Sequence, residues 1–527
     1  MVQWQKKGKA VRYFLLYFSF FLWLDAKPFK VASYNVENLF DARYQGTEYE
    51  EYIPHKHNWN ARMVEIKLKH TAEVICDLDA DILGLQEVEN RQILHRLSDL
   101  LRRVGCPYRY STITQKKGAP IQVALLSRYP IRKSRDIAVS IAPRVRNILE
   151  AEVEVGGYPL TLFVNHWKSK GYDGFESKRI AYAKALKRRL ATLPPQREYV
   201  LLGDFNSDYN ADDTLSEKNN DTDGKTAFND ILPTRINGKL VSERDLLKAK
   251  QLMLYTLWLE LPIEKRWSQK FYGKRSTPDQ IVIPPALVDG RGVDYINDSF
   301  GVFHRDYLFT RRGYINRWRY KHGKHMAKGY SDHLPVYAWF DTRPYKPTAM
   351  HPHKVDESVK SIDDLYRLQS LDHPVLLKDA VVVFKRGNHA LLKQAPEGRG
   401  IFLYGCASRL KEGMRYDLQV EGLKRYKGLT ELLGAHIVKQ KGKVDLTTYR
   451  WKSLHHKLRQ NEVVEEIEGT YRHGALYLGD QKIPIYFKKR SIVPKEGSRL
   501  KIAYAHLGYY KRLQLVIYSK RDFKIVE

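Results

Sequence analysis

Cysteine is scarce in this sequence, and the shortage limits what can hold the fold together. Only three cysteines occur among 527 residues, at positions 76, 106 and 406. So small and odd a set supplies neither a disulfide framework nor the paired cysteines of a zinc motif. Hydrophobic cores of ordinary size must therefore stabilise the protein. A bridge between Cys76 and Cys106 is conceivable because they lie close in sequence, but we expect each to be a buried free thiol.

Acidic residues are also in the minority. The chain has 60 Asp and Glu against 90 Lys and Arg, so its formal net charge is +30. This excess predicts a polyanionic partner, because clustered Lys and Arg gain affinity by releasing counterions from a phosphate backbone. A general effect on solubility is the alternative interpretation. At this length we expect two or three domains rather than one core.

The first residues have the pattern of a secretory signal. Basic residues from Lys6 to Arg12 precede the apolar run Tyr13–Leu24, and the small residue Ala26 follows. The run is too short for a comfortable membrane span, which needs about 20 residues. We therefore predict a signal peptide at residues 1–26 and a secreted or periplasmic protein. Membrane contact is expected only if this segment is retained as an anchor.

Polar clusters stand directly against apolar, strand-like runs. GDFNSD at residues 203–208 follows Tyr199–Leu202, and SDHLP at residues 331–335 precedes Val336–Phe340. Clusters that begin at Asn35, Gln86 and Asn165 have the same arrangement. Five predicted strands therefore end beside acid, amide or imidazole groups. Such groups together can hold a hard cation and activate water.

In chain order, the motifs NVENLF, LQEVEN, NHWKSK, GDFNSD, TPDQI and SDHLPV resemble the endonuclease/exonuclease/phosphatase superfamily, also called DNase I-like. The resemblance covers roughly residues 30–340. It implies an α+β fold, a four-layer α/β/β/α sandwich with the site along one edge. Helical periodicity over Arg62–Leu78 and Ser177–Thr192 predicts helices between the strands. We expect the catalytic domain at residues 27–342.

The resemblance also implies which residues hold a metal ion. It assigns Glu87 as the first ligand, with Asn35 and Asp332 at the same ion. Magnesium prefers oxygen ligands and keeps several waters, so one or two carboxylates suffice. We therefore expect Mg²⁺, with Mn²⁺ as an alternative.

Catalytic roles follow from the same resemblance. Asp204 would orient the attacking water, and Asn206 would hold the scissile phosphate. His333, paired with Asp279, would act as general base, and His166 would donate to the phosphate or the leaving group. General acid–base assistance of this kind is worth about 10² to 10⁴ in rate. Neighbours expected to orient these groups rather than touch substrate are Asn165, Asp208 and Ser331.

Basic residues beside the motifs are candidates for holding substrate. Lys168, Ser169 and Lys170 follow the NHW motif in a loop, where ammonium groups would act as point charges on phosphate. Arg317 and Arg319 belong to a basic stretch with interleaved aromatics that precedes SDHLP. Such a stretch could grip a phosphate backbone. A plain solvated loop is the alternative for both segments.

A different organisation begins after residue 342. Residues 343–360 are rich in proline and indicate a linker. Beyond them, Lys411–Arg415 recurs as Lys495–Arg499, and Tyr426–Leu429 recurs as Tyr510–Leu513, at a constant shift of 84 positions. The repeat predicts two tandem small β-barrels, at residues 361–445 and 446–527.

The first repeat unit is similar to the OB-fold modules appended to some secreted bacterial nucleases. Such a barrel offers a basic groove with aromatic side chains on which bases stack. Tyr426 and Lys427 are candidates for substrate binding, although tyrosines can equally fill barrel cores and turns. The other candidates are Tyr404 and Arg425 in the first unit and Tyr486, Tyr509, Tyr510 and Lys511 in the second.

Residues 219–230 partly fit the spacing of a calcium-binding loop, with Asn219 in the first position and Asp230 in the last. Structural Ca²⁺ and an acidic loop without a metal both stay open for this segment.

Together these features predict an exported, metal-dependent nuclease that hydrolyses phosphodiester bonds in DNA, with RNA as a further substrate. No obligate protein partner is evident. One alternative is a secreted phosphoesterase that acts on phospholipids or on inositol or sugar phosphates, since the fold does not choose among them. The loop before SDHLP is basic, whereas a membrane-acting relative would carry an exposed apolar hairpin. A second alternative is a non-catalytic nucleic-acid-binding protein, which would have no need of the whole set of motif residues.

Overall fold

The computed structural model describes residues 28–171, 173–249, 251–271, 273–345, 358–454 and 458–526. The predicted signal peptide at residues 1–26 and most of the predicted linker at 343–360 lie outside these residues. No helix in the described part of the chain is both long and apolar enough to cross a membrane.

The chain up to residue 341 has a mixed α/β fold. Its α-helices are α1 (Ala61–Leu78), α2 (Arg91–Arg103), α3 (Glu176–Leu190), α4 (Ala211–Thr214) and α5 (Glu243–Leu247), with a π-helical turn at Ala227–Ile231. Its strands are β1 (Phe29–Leu39), β2 (Ile82–Val88), β3 (Tyr110–Ile113), β4 (Gln122–Ser127), β5 (Ile131–Ile137), β6 (Ile148–Val155), β7 (Tyr158–His166), β8 (Tyr199–Asp204), β9 (Arg235–Ile236), β10 (Lys239–Leu240), β11 (Tyr255–Thr256), β12 (Gln269–Phe271), β13 (Lys274–Ser276), β14 (Asp279–Ile283), β15 (Asp294–Tyr295), β16 (Gly301–Val302), β17 (Tyr320–Lys321), β18 (Lys324–His325) and β19 (Val336–Asp341).

Two large sheets carry the functional motifs. One has the strand order β15-β19-β1-β2-β4-β3, with β16 also paired to β19, and the other has the order β11-β14-β8-β7-β6-β5. Strand β1 is parallel to β2, and β7 is parallel to β8, whereas β19 and β14 run antiparallel to β1 and β8. In each sheet, two strand ends and the start of a third strand therefore meet at one edge.

Side-chain alternation explains how the sheets pack. In β1, Val31 belongs to the core that both sheets share, together with Leu162 of β7 and Leu202 of β8. Tyr34 faces the other way and packs in a second core with residues of α1 and α2. Because successive strand residues point to opposite faces, Asn35 shares the face of Val31 and is directed towards the second sheet.

The C-terminal part contains α6 (Ile362–Arg367) and a closed five-strand barrel. The barrel strands are β20 (Val375–Arg386), β21 (His389–Lys393), β22 (Ile401–Tyr404), β23 (Met414–Tyr426) and β24 (Leu429–Lys443), in the order β20-β21-β22-β24-β23. We call this unit the first barrel. Its core is separate from those of the two large sheets and includes Leu377, Leu392 and Leu418.

A second set of strands follows the same pairing order. These are β25 (Val463–Arg472), β26 (Ala475–Leu478), β27 (Gln481–Phe487), β28 (Arg499–Tyr509), β29 (Leu513–Ile517) and β30 (Phe523–Val526). The order is β25-β26-β27-β29-β28-β30, and β25 also pairs with β28, so that a ring of five strands is closed with β30 at its side. We call it the second barrel. Its parallel pair β27–β29 corresponds to β22–β24 of the first barrel.

Buried charges join the part before residue 342 to the first barrel. Arg266 donates hydrogen bonds to Glu421 at 3.0 Å and to the Tyr209 hydroxyl at 2.9 Å. His436 lies 2.7 Å from Asp213 through Nδ1 and 3.2 Å from Glu421 through Nε2. Burial alone would lower the pKa of His436, but Glu421 and Asp213 outweigh it and raise that pKa to about 10. The contact is therefore an ionic one, shielded from solvent.

The structure corrects the expectation for two cysteines. Cys76 and Cys106 form a disulfide across 30 positions, with their Cα atoms 5.7 Å apart. Cys76 lies in the last turn of α1, and Cys106 follows α2, which packs beside α1 in the same core. Helix packing brings the two sulfurs together, and the sequence alone did not show this. Cys406 is a buried free thiol.

Candidate active site

The polar motifs meet at one edge of the two sheets. Asn35 lies in β1, Glu87 in β2, His166 at the end of β7 and Asp204 at the end of β8. The Asn35 amide donates to Glu87 Oε1 at 3.1 Å and to Asp204 Oδ2 at 3.0 Å. Because Asn35 and Asp204 belong to different sheets, this amide joins the two sheet edges.

Three side chains surround a point where a cation fits. His166 Nε2 lies 3.6 Å from Glu87 Oε1 and 3.6 Å from Asp204 Oδ2. The three ligand atoms all lie within 4.8 Å of one another. Two carboxylate oxygens and an imidazole nitrogen form a donor set that could hold a divalent ion.

The charge balance of this site also fits a cation. Burial, followed by repulsion from Asp332, raises the pKa of Glu87 above its usual value. Burial also raises the pKa of Asp204 to about 6, although His333 opposes the shift. Burial holds the pKa of His166 well below its usual range, so this ring is neutral and can offer a lone pair. Crowded, buried carboxylates of this kind are stabilised by a positive ion.

His333 and Asp279 form a pair beside the cluster. His333 Nδ1 donates to Asp279 Oδ2 at 2.8 Å, and the Ser268 hydroxyl donates to the same oxygen at 2.5 Å. His333 Nε2 faces the site, 3.9 Å from Asp204 Oδ2 and 3.9 Å from Asp332 Oδ1. Burial would lower the pKa of His333, but Asp279 and Asp332 outweigh it and raise that pKa well above its usual value.

Backbone strain accompanies the motifs. Glu87 and Asn206 have positive φ angles of 67° and 47°, in the region that favours glycine. Gly203 has a φ of +126°, and a Cβ at this position would lie 2.1 Å from the Asn165 carbonyl oxygen. The turn that presents Asp204 and Asn206 therefore requires glycine at its start.

Two residues expected at the metal ion, Asp332 and Asn35, lie beside the three-residue cluster. Asp332 is 29% exposed and stands beside His333, outside the three-residue cluster. Asn35 turns its amide nitrogen to the carboxylates, while its Oδ1 accepts from the Glu37 backbone at 3.0 Å. His166 supplies the third ligand atom of the cluster.

Asn206 lies beside the cluster with its side chain directed to the neighbouring loop. Its backbone N–H donates to Asp204 Oδ1 at 2.8 Å, and its amide donates to the Trp167 carbonyl at 3.1 Å. These bonds order the loop end at which Asn206 would meet a phosphate.

The three residues expected to orient neighbours make such bonds. Ser331 donates to the Asn35 carbonyl at 2.6 Å, which ties the SDHLP loop to β1. Asn165 accepts from the Trp167 indole at 3.0 Å. Asp208 accepts from the Thr277 backbone at 2.8 Å and so joins the GDFNSD and TPDQI motifs.

Sequence reasoning missed several residues at this edge. Gln269 lies 2.8 Å from His333 Nε2 through its amide nitrogen, and Ser268 bonds to Asp279. Arg146 donates to the carbonyls of His166 at 3.1 Å and Trp167 at 2.7 Å. Ser268, Gln269 and Arg146 lie outside the matched motifs, so no local pattern marked them.

The catalytic-domain candidates for substrate binding have different surroundings. Lys170 pairs with Asp208 at 2.8 Å, and Arg317 pairs with the buried Glu37 at 2.5 Å. Lys168 is half-buried, whereas Ser169 and Arg319 are exposed. Among the described residues, three of these five candidates have no such ion pair: Lys168, Ser169 and Arg319.

The barrel candidates lie at a hairpin tip. Tyr426 ends β23 and is 46% exposed. Lys427 follows it and donates to the hydroxyl of Tyr510 in the second barrel at 2.5 Å. The corresponding hairpin tips of the two barrels therefore touch each other.

The polar side chains of the candidate calcium loop make hydrogen bonds to other groups of the protein. Asp221 accepts from the backbone and hydroxyl of Ser177, and Asp230 accepts from the backbone and hydroxyl of Thr226. The Asn219 amide donates to the carbonyls of Lys170 and Gly174. These contacts describe a hydrogen-bonded loop that braces α3, and among the described residues the loop forms no cluster of cation ligands.

Comparison with known proteins finds one family match. Residues 30–241 match the model of the Endonuclease/Exonuclease/phosphatase family. This segment, which is less than half of the chain, is similar to that family, as the motifs predicted. The match does not extend to the barrels. No curated protein matches the chain.

Solved structures resemble the chain at low identity. TDP2 from C. elegans is 16% identical, with a TM-score of 0.37, over 60% of this chain and 76% of that chain. D. rerio TDP2, in a complex with a single-strand DNA product, is 14% identical, with a TM-score of 0.37, over 60% of this chain and 99% of that one. A family protein from Bacteroides thetaiotaomicron is 16% identical, with a TM-score of 0.35, over 60% and 98% of the two chains.

Proposed function

We propose that the protein is an exported, metal-dependent nuclease that hydrolyses phosphodiester bonds in DNA, with RNA as a second substrate. One observation carries the proposal. The ligand atoms of Glu87, His166 and Asp204 surround one point, and the His333–Asp279 pair stands beside them. The reaction needs both a cation to relieve phosphate charge and a base to activate water.

In this proposal, Glu87, Asp204 and His166 hold Mg²⁺ or Mn²⁺, and Asn35 and Asp332 support the site. When bound, the ion screens the charge of the phosphate and stabilises the departing oxygen.

The protein's own groups position and move protons. His333 takes a proton from the attacking water at Nε2, because the hydrogen bond to Asp279 keeps the proton of the neutral ring on Nδ1 and leaves Nε2 as the acceptor. Asp204 orients that water, and Asn206 holds the phosphate. The neutral His166 directs Nε2 to the ion in this proposal, in place of the proton-donor role expected from the sequence.

Two features outside the site support export and a nucleic-acid substrate. The Cys76–Cys106 disulfide suits an oxidising compartment. The net charge of +30 suits a polyanion. We further assign the sheets and helices of residues 27–342 to a four-layer α/β/β/α sandwich, and the two barrels to OB-like modules. The order of the barrel strands supports the second assignment.

One structural feature favours the phospholipid alternative. The hairpin β12–β13 begins at Gln269, next to His333, and carries Phe271 with 58% of its side chain exposed. An apolar residue projecting beside a catalytic edge suits contact with a lipid surface. The same hairpin carries Lys270 and Lys274, which suit phosphate equally well.

A single set of assays tests the proposal. Purified mature protein is incubated with circular plasmid, single-stranded DNA, RNA and sphingomyelin vesicles, in Mg²⁺, in Mn²⁺ and in chelator. We expect cleavage of the polynucleotides that chelator abolishes. Cleavage of the lipid alone would overturn the nuclease assignment in favour of a phosphoesterase. Binding of DNA without any hydrolysis would indicate the non-catalytic alternative.

A further inference from the structure

We propose that the two barrels and the catalytic edge form one continuous lane for an unpaired nucleic-acid strand. The lane consists of Tyr426, Lys424, Tyr404 and His389 in the first barrel, Tyr486 and Lys488 in the second, and Lys274 and Lys170 on the catalytic domain. The inference rests on the proposed function, because the lane leads to the site that would cut the strand.

Sheet register places the rings of the first barrel on one face. Strand β24 lies between β22 and β23, and its residue Glu431 pairs with Phe402 on one side and Lys424 on the other. These three side chains therefore share a face. Tyr404 and Tyr426 lie two residues further along their strands and share that face too. They are 40% and 46% exposed.

The row of rings continues onto the second barrel. The His389 ring lies 4.9 Å from Tyr404 and 5.5 Å from Phe402. Phe402 in turn stacks on His506 of the second barrel at 5.2 Å. Tyr486 of the second barrel is 46% exposed, and Lys488 lies 5.6 Å from the centre of its ring.

Lysine side chains lie next to these aromatic rings. Lys424 lies 5.1 Å from the centre of the Tyr426 ring. Burial raises the pKa of the Glu431 carboxyl to about 7, and the nearby ammonium groups of Lys424 and Lys488 oppose the shift. Exposed aromatic faces with ammonium groups between them match the alternation of bases and phosphates in a single strand.

The basic row then reaches the catalytic domain. Burial lowers the pKa of His389 to about 4, with the positive charges of Lys488 and Lys274 as further causes. The second barrel and the β12–β13 hairpin thus both approach this ring. Burial would raise the pKa of Asp208, but the positive charges of Lys170 and Lys274 outweigh it and lower that pKa. Lys170 also donates a hydrogen bond to Asp208, and it follows His166 by four residues. The row therefore ends at Asp208, in the GDFNSD motif that also carries Asp204.

The chemistry of the lane selects an unpaired strand. Base faces are hidden inside a duplex, so only a single strand can stack on the tyrosines. A duplex would contact the lysines alone. Barrels of this kind cover about 4–16 nucleotides each, so a strand of about 30 nucleotides spans both.

Binding measurements test the lane without cleavage. The full-length mature protein is held in chelator, and its affinity for fluorescein-labelled dT30 and for a 30-base-pair duplex is measured by fluorescence anisotropy. We expect tighter binding of dT30. Tyr426→Ala and Tyr486→Ala should each weaken dT30 binding about fivefold or more, which corresponds to about 1 kcal/mol per stacked base, and leave duplex binding unchanged.

Matched variants separate stacking from damage to the fold. Tyr486→Phe keeps the ring and should retain affinity for dT30. Tyr158→Ala removes a tyrosine of similar exposure, 44%, from the β6–β7 hairpin and should have no effect. Lys488→Ala should reduce the slope of log affinity against log salt by about 0.7 for one lost phosphate contact on a single strand.

The outcomes are distinguishable from those of the hydrolysis assays. Equal affinity for dT30 and duplex would overturn the lane, as would ring variants that bind dT30 normally, even if the enzyme hydrolyses bis(p-nitrophenyl) phosphate. Loss of dT30 affinity on removal of the rings would support the lane even if no diester is cleaved, and the proposed function alone would then fail.

Discussion

His333 is held from three directions, and this defines how it can act. Asp279 accepts from Nδ1, the Gln269 amide contacts Nε2, and the Ser331 hydroxyl accepts from its backbone N–H at 3.1 Å. The ring cannot turn without breaking these contacts. Its only route to a substrate proton is Nε2, on the side that faces Asp204.

Removal of this imidazole tests its role as a base. We expect His333→Ala to lower kcat for bis(p-nitrophenyl) phosphate by about 10²- to 10⁴-fold, because the variant loses general base assistance. The control is His95→Ala, which removes an exposed imidazole from α2. Unchanged kcat in a folded His333→Ala protein would refute the assignment.

Glu87 is the residue whose loss should affect the metal most directly. Glu87→Gln keeps the shape of the side chain but removes its charge from the cluster. We expect Mn²⁺ affinity, measured by calorimetry, to fall at least tenfold, and activity to require more metal. Glu65→Gln, an exposed change on α1, is the control. A variant that binds Mn²⁺ as tightly as the parent would show that the cation is held elsewhere.

Much of this site was predictable because its groups come from strand ends within recognisable motifs. Glu87, His166, Asp204, Asp279 and His333 all lie at the predicted edge. Their exact partnership was not predictable, since one side chain can serve an ion, a phosphate or a neighbour. Ser268 and Gln269 stand before a short hairpin with no periodic signal, so only the fold reveals their contact with the His333–Asp279 pair.

At the scale of elements, long periodic segments were predicted well and short ones were not. The helix expected at Arg62–Leu78 is α1 at Ala61–Leu78, and the one expected at Ser177–Thr192 is α3 at Glu176–Leu190. Both have enough turns for an apolar face to show in the sequence. The hairpins β12–β13 and β17–β18 have two or three residues per strand and lack such a pattern.

The disulfide should contribute to stability through the unfolded chain. It closes a loop of 30 positions, which corresponds to about 3.5 kcal/mol of lost chain entropy in the simplest treatment. We expect a Cys76→Ser and Cys106→Ser double variant to unfold at clearly lower urea concentration than the oxidised protein. Reductant should destabilise the parent and leave the double variant unchanged. Equal midpoints for parent and variant would contradict this.

At the scale of the whole molecule, the mixed α/β fold and the C-terminal barrel strands agree with the sequence-based expectation, whereas the contact between them was not foreseen. The paired residues of this contact, such as Arg266 and Glu421, are far apart in sequence and belong to no motif. Because buried charged side chains join them, the first barrel and the N-terminal α/β part form one packed unit. Removal of the barrels would therefore expose Asp213 and Arg266 and destabilise the remainder, because buried charges without partners are costly.

Stability should depend on pH through this contact. The pKa of His436 rises from 6.5 to about 10 on folding, so its contribution is complete below about pH 6.5 and is lost as pH rises towards 10. For Glu421, burial is outweighed by Arg266 and His436, and its pKa falls on folding. Its contribution is complete above about pH 4.5 and is lost only in stronger acid.

Melting temperatures of the parent and His436→Gln, measured between pH 5 and pH 10, test this linkage. We expect the advantage of the parent to be largest near pH 5–6 and to shrink steadily towards pH 10. His95→Gln, on the surface of α2, should show no such trend. An advantage that stays constant across the range would mean that His436 is not charged in the folded protein.

The pairing of β1 with β19 has a consequence for biosynthesis. Phe29 of β1 lies opposite Phe340 of β19, so the first strand of this fold needs the last one as its neighbour. Asn35 comes from the first strand, and His333 comes just before the last one. A nascent chain on the ribosome therefore cannot assemble this edge of the fold until Asp341 has emerged. Any message broken before that codon would yield a chain in which Asn35 and His333 are not brought together.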